Sequence, residues 1–490
     1  MNLKKAFSLL VTFALLAGAL AVFPASAHAI AKPMIEKGPQ AHPAKGTSTT
    51  SYGIFDCQDG EAPYVCYDPY QIRHAYRTDN LINAGFTGKG KTIVIIDSFQ
   101  SPNIVAQLNY FDSYYGLASL NGLGGAFNPK LGTFTQVAPD GLTPFDQTND
   151  DMVGWAMEIS LDVEWAHAIA PGANIVLDLA KSDADADILS ATQYAINKNL
   201  GDVISQSFGE NESCVDTSIL VAEHLLFAKA ALKNMTLFAS AGDDGAAQLN
   251  CAGTGYVKAA SSPASDTLVT GVGGTTLNAA GYCLASLGCN PKKNPVPGTN
   301  LGEVVWNEAD LGYGATGGGL SVLFGQPFFQ AGAFQSKQRG VPDVAYNASV
   351  MDGVLVYLDI PGLDSGFWIF GGTSSGSPQW AAITAIADQK AGHDLGFINP
   401  ALYQIAKDKK AYKADFLDIT SGNNSVTLDV AITGYNAGAG WDATTGLGSP
   451  VADQLVNALI KTVSANDGKL GSQTSGPSGN HSGSGHFFNH

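Results

Sequence analysis

The sequence predicts an α/β fold built on a mostly parallel sheet with helices on both faces. Two observations carry this. The runs KTIVIIDS, ANIVLDLA, GDVISQSF, MTLFASAG and DTLVTGVGG are short, apolar and β-branched, as strands buried on both sides are. Helical stretches such as ADADILSATQYAINKN and SILVAEHLLFAKAALKN fall between them, and alternation of strand and helix implies parallel neighbours. In a doubly wound sheet of this kind the functional crevice lies beyond the carboxyl ends of the strands.

Taken in order, the chain opens with MNLKKAFSLLVTFALLAGALAVFPASAHA, in which two lysines precede an apolar run and small residues follow. Residues 1–29 therefore read as a secretory signal peptide, which places the protein outside the cell. Residues 30–65, rich in Pro, Lys, Gly, Ser and Thr, read as a flexible lead-in. Regular patterning begins near Cys66 and predicts one large domain over 66–463. The Gly/Ser/His-rich residues 464–490 read as a disordered tail. After the signal no apolar run approaches the ~20 residues of a membrane-spanning helix. Six cysteines suit an exported protein, and pairing neighbours (Cys57 with Cys66, Cys214 with Cys251, Cys283 with Cys289) is the simplest of the 15 arrangements. With 26 basic against 43 acidic residues the net charge is −17, so a basic footprint for nucleic acid is absent. Charged residues make up only 14% of the chain, a low density that suits acidic surroundings.

Three stretches carry candidate chemistry. GGTSSGSPQW (371–380) displays Ser374 in a glycine loop ahead of an alanine-rich helix. A serine hydroxyl needs a base to become a nucleophile. Of the nine histidines, His28 and His42 fall in the signal and lead-in and His481, His486 and His490 in the tail. His74, His167, His224 and His393 open no glycine turn suited to a catalytic histidine. Carboxylates are the other source of a base. MVGWAMEISLDVEWAHAIAPGA reads as a helix that places Glu158 and Asp162 four apart on one face. If buried, such a pair shares a proton and one pKa rises, although on a surface helix it is only a solvated pair. FASAGDDGAA runs from a strand into Gly242-Asp243-Asp244-Gly245, either a plain turn or a carboxyl at the mouth of the sheet that could donate a hydrogen bond to an oxyanion. Asp97 ends the strand KTIVIID at that same mouth.

Glu158 and Asp162, then Asp243, then Ser374, in that order, resemble the sedolisins, serine-carboxyl peptidases of subtilisin-like fold in which a glutamate stands in for histidine. YDPYQIRHAY, SSPASDTLVTGVGGTT, TGGGLSVLFGQPFFQ, RGVPDVAYNAS, GGTSSGSPQWAAI and INPALYQIA are similar to further segments of the family, covering roughly residues 66 to 460. The resemblance implies Ser374 as nucleophile, Glu158 as general base and acid, Asp162 as its orienting partner and Asp243 as the oxyanion-hole aspartate, with Asp244 as the rival for that last place. It implies protein or peptide substrates cleaved in acid; with the charge balance and the lack of a later apolar run, the expectation is no nucleic-acid partner, no membrane after signal removal and a monomer. FLDITSG and YNAGAGWDATTGLG resemble the family's C-terminal calcium loop, with one structural ion held by Asp418 and Asp442 carboxylates and the Ile419, Gly438 and Gly440 carbonyls.

In two places the chain departs from the family pattern. Ser207-Phe208-Gly209 stands where Ser-Trp-Gly is usual, and about 37 residues separate the signal from the mature-like start, too few for a folded prosegment. Three other readings compete: a subtilisin-like Ser/His/Asp peptidase with a cryptic histidine, a catalytically silent secreted peptide-binding relative, and a carbohydrate-binding or structural export protein.

Overall fold

A computed structural model describes residues 35–37, 41–42, 54–59, 64–283, 289 and 292–474. The expected signal peptide, much of the lead-in and residues 475–490 lie outside the described residues.

Eight strands form the central sheet: β1 (Thr92–Ser98), β2 (Phe134–Val137), β3 (Asn174–Ala180), β4 (Val203–Gln206), β5 (Thr236–Ser240), β6 (Thr270–Ala279), β7 (Asn300–Val305) and β8 (Val344–Asn347). They are ordered β7-β6-β5-β4-β1-β3-β2, with β8 also paired to β6. Every pair is parallel except β6 with β7. Strand β1 lies between β3 and β4, so the chain winds outward in both directions from it. A crevice opens at the carboxyl end of such a strand.

Side chains alternate across each strand. In β1, Ile93 and Ile95 face one core and Val94 and Ile96 the other. The first core holds α1 (Ile104–Tyr115), α2 (Asp150–Ile169) and α5 (Gly376–Ala391); the second holds α3 (Asp185–Lys198) and α4 (Thr217–Leu232). Helix α2 starts where the Asn149 side chain accepts from the Asp151 and Met152 amides, with Asp150 and Asp151 at its positive end. From Gly154 to Ile169 all its residues except Met157 are buried. It is closed in on every side although it carries Glu158, Asp162, Glu164 and His167, and it packs against α5, itself buried from Gly376 to Asp388.

Two boundaries differ from expectation. The last helix, α6 (Ala452–Thr474), continues past position 464, where the tail was expected to begin; Leu455, Val456 and Leu459 anchor its first turns in the core. The described part of the lead-in joins the fold instead of standing loose. Ile35–Lys37 pairs antiparallel with Gly366–Phe370, in a second sheet that also contains Asp352–Leu358 and Val65–Tyr67. Phe55 is buried against Phe367, ring centroids 5.3 Å apart. An aromatic ring and paired backbone groups supply the burial that composition alone concealed. The three disulfides are Cys57–Cys66, Cys214–Cys251 and Cys283–Cys289, the neighbour pairing. Among the described residues no helix is long and apolar enough to cross a membrane.

Candidate active site

Five elements deliver side chains to the crevice. Asp97 comes from the end of β1, Ser207 from just beyond β4, Asp243 from the turn after β5, and Glu158 and Asp162 from the middle of α2. Ser374 sits in a single 3-10 turn, Thr373–Ser375, that leads straight into α5. The four residues picked out by sequence are thus brought to one place, and all are buried: Glu158 is 2% exposed, Asp162 0%, Asp243 6% and Ser374 3%.

The Ser374 hydroxyl donates to the Ser207 carbonyl at a long 3.4 Å. It also faces Glu158, near enough to favour that carboxyl's charged form, although neither Glu158 oxygen closes a hydrogen bond of ordinary geometry. Glu158 is nonetheless held well above the usual carboxyl range, first by burial and then by the Asp162 and Asp97 carboxyls beside it. Asp162 is raised by burial, with Ser207 working in the opposite direction. Asp97, fully buried, is raised by burial and by Asp162. Three acids in a dry site without a cation cannot all ionise, so the cluster retains protons at pH values where free carboxyls have lost them.

Asp243 occupies a different setting. Its Oδ1 accepts from the Thr373 amide at 2.7 Å and the Thr373 hydroxyl at 2.8 Å. These bonds favour the anion, but burial outweighs them and the pKa is pushed up to about 6. Oδ2 lies against Gly372, where an added Cβ would stand only 2.6 Å from it. Among the described residues no hydrogen bond from the serine loop reaches Asp244, so geometry separates the two aspartates that spacing left open. Sequence reasoning missed Thr373 and Gly372. The signal was present in GGTSSG, because a residue next to a displayed serine is well placed to orient that serine's neighbours.

No described histidine side chain reaches this site. His74 pairs with Asp79 at 2.7 Å, buried His167 lies 3.1 Å from Asp112, His224 pairs with Asp266 at 2.7 Å, and His393 contacts the Asp394 carbonyl. Phe208 stands at the edge of the site with its ring 6.3 Å from that of Trp155.

The two loops that carry the five expected calcium ligands meet. The Gly440 amide donates to both Asp418 oxygens at 3.2 and 3.0 Å, the Gly438 amide to Asp442 Oδ2 at 3.0 Å, and Ile419 follows Asp418 in the same turn. Among the described residues no group of three or more His, Cys, Asp or Glu side chains is placed to hold a metal.

No family model matches the chain. Kumamolisin from Bacillus sp. (strain MN-32) is 32% identical over 440 residues, covering 88% of this chain and 70% of the relative. The chain belongs to the sedolisin family. Sedolisin from Pseudomonas sp. (strain 101) is 30% identical over 374 residues, 74% of this chain and 57% of the relative. Tripeptidyl-peptidase 1 from Rattus norvegicus is 30% identical over 328 residues, 62% of this chain and 52% of the relative. Among solved structures, Pseudomonas sedolisin, a serine-carboxyl proteinase complexed with two molecules of pseudo-iodotyrostatin, superposes with a TM-score of 0.65 at 27% identity, covering 82% of this chain and 99% of that one. The sedolisin-family sheet is therefore the subtilisin-like frame expected from sequence, and this member of the family is a serine-carboxyl peptidase.

Proposed function

We propose that the chain is a secreted endopeptidase that cuts proteins and peptides at acid pH through an acyl-enzyme, with Ser374, Glu158 and Asp162 as its triad and Asp243 in its oxyanion hole. The observation that supports this most is the Glu158 carboxyl facing Ser374 in a dry site that no described histidine enters. Histidine, with a free pKa near 6.5, is mostly protonated in acid, whereas in the buried row of Glu158, Asp162 and Asp97 the protons that burial retains can rest on the two aspartates and leave Glu158 the base.

In this reading Glu158 takes the hydroxyl proton as Ser374 Oγ bonds to the scissile carbonyl carbon. It returns the proton to the leaving amine as the C–N bond breaks. Water then attacks the acyl-serine ester, with Glu158 again taking and returning the proton. Asp162 orients Glu158, and Asp97 extends the same buried carboxyl row. The carbonyl oxygen, negative in the tetrahedral intermediate, is met by the positive end of α5 and by the proton that Asp243 carries below about pH 6. Digestion of a denatured protein from pH 2 to 8 by wild type, Ser374→Ala and Glu158→Gln tests this. Activity should be confined to acid and lost in both variants. A neutral optimum, or a Glu158→Gln enzyme that still cuts, rejects it.

We also propose one structural calcium ion. Asp418 and Asp442 bring two negative charges into a glycine-turned loop with the Ile419, Gly438 and Gly440 carbonyls, and this oxygen-only donor set fits calcium. Its ion would brace the loop and take no part in catalysis.

A further inference from the structure

Thr373 lies one residue ahead of the candidate nucleophile, buried against the Gly242-Asp243 turn. Its amide donates to Asp243 Oδ1 at 2.7 Å. Its hydroxyl accepts from the Gly242 amide at 3.1 Å and has one hydrogen of its own to give. Two acceptors are in reach, Asp243 Oδ1 at 2.8 Å and the Gly242 carbonyl at 3.2 Å. The Gly242 carbonyl already accepts from the Gly317 amide at 2.6 Å, so the hydroxyl hydrogen goes to the nearer carboxyl oxygen.

Oδ1 therefore accepts two hydrogen bonds, one of them from an amide that can only donate. A proton placed on Oδ1 would point at those two hydrogens. Oδ2 is the opposite case. It accepts no hydrogen bond among the described residues, yet it is not sealed from solvent as both oxygens of Glu158, Asp162 and Asp97 are. It occupies the space that a side chain at Gly372 would fill. The titratable groups that face Asp243 are Asp244 beside it in the chain and Glu158 on α2, both carboxyls, and no ion pair reaches it among the described residues.

We propose that Thr373 is a positioning residue that confines the proton of Asp243 to Oδ2, the oxygen left open, and so aims that proton at the oxyanion. It rests on the peptidase reading given above. Without the hydroxyl, Oδ1 keeps a single donor and the carboxyl is free to turn or to carry its proton on either oxygen. The same hydroxyl favours the Asp243 anion and works against burial. Its removal therefore spoils the aim and at the same time raises the pH at which the proton leaves. Activity falls while its alkaline limb moves to higher pH, a pairing that general damage to the fold does not produce.

Two measurements test this. In crystals of the wild-type protein grown in acid and refined at atomic resolution, the Asp243 Cγ–Oδ2 bond should be longer than Cγ–Oδ1, because a carboxylic acid's C–OH bond is the longer of its two. Equal bonds, or a longer Cγ–Oδ1, overturn the proposal whether or not the protein cuts peptides. The second measurement is the pH profile of kcat for wild type, Thr373→Val and Thr373→Ser, with folding checked by circular dichroism because valine leaves the Gly242 amide without its acceptor. Valine keeps the volume and the amide bond but not the hydroxyl. It should lower kcat by about tenfold and move the alkaline limb up by about one pH unit, the equivalent of one hydrogen bond to a charged group. Serine keeps the hydroxyl and should keep the wild-type rate and limb. A limb that stays in place in a folded Thr373→Val protein, or a serine variant that matches valine, rejects the role. If wild type cuts nothing, the peptidase reading fails on its own account, and the two bond lengths still decide where the proton sits.

Discussion

On the proposed mechanism, Asp243 sets the upper edge of activity. Its carboxyl must carry a proton to donate to an oxyanion, and with a pKa raised to about 6 it does so only below that pH. The stability sign agrees: a carboxyl raised on folding contributes fully at pH below its unfolded value and loses that contribution as pH climbs through about 6. Asp243→Ala should lower kcat by roughly 10²–10³-fold, the loss typical of one oxyanion donor. The residual activity should no longer fall near pH 6, which a pH profile of kcat checks. The resemblance drew Glu158, Asp162, Asp243 and Ser374 out of the sequence by the order of their short motifs, and the fold brings them into one buried place. Thr373 was not legible, since its value comes from where its amide and hydroxyl point once the loop has closed on Asp243. Asp97 was visible only as the polar end of an apolar strand, and its place beside Asp162 is a product of the sheet's winding.

The serine loop and the helix it feeds behave as one element. Gly372 has φ +91°, a conformation that side chains disfavour, and its open face is taken by Asp243 Oδ2. Gly372→Ala should therefore cut kcat by on the order of a hundredfold through a displaced Asp243, with the protein still folded by circular dichroism. Farther along α5, fully buried Trp380 donates to the Ala345 carbonyl of β8 at 3.1 Å and so ties the helix to the sheet. Trp380→Ala should cost about 3–5 kcal/mol in denaturant unfolding. The five strands legible in the sequence are buried on both faces; β8, equally buried but only the four residues VAYN, was not among them. Strand β2, with the two middle residues of FTQV exposed, and the edge strand β7 were not legible, because one-sided burial at a sheet edge leaves little apolar signal in so short a run.

The molecule as a whole is built to carry protons. Burial raises Asp178, Glu210, Glu223 and Asp388 to about 8 and Asp352 to about 6, across several regions of the fold. Each contributes stability that is complete below about pH 4 and fades as pH rises through these values. The melting temperature should therefore fall steadily from pH 4 to pH 8, as scanning calorimetry would show; a flat or rising curve contradicts this. Chelation at constant pH should lower the melting temperature by several degrees, with calcium restoring it and magnesium failing to. Composition concealed the ends of the fold, where helical anchoring and strand pairing reach into segments rich in loop-forming residues. One of those ends has a further consequence. The strand Ile35–Lys37 flanks Gly366–Phe370, which runs directly into the loop bearing Ser374, and the covalent bridge Cys57–Cys66 lies between that strand and the main body. A protease nicking the backbone inside the bridged stretch would leave the leading fragment tethered by sulfur. Such a nick would stay invisible on a non-reducing gel and would release a small band only after thiol treatment. Cleavage ahead of Cys57 would sever the tether and strip the border from the ribbon that aims the serine.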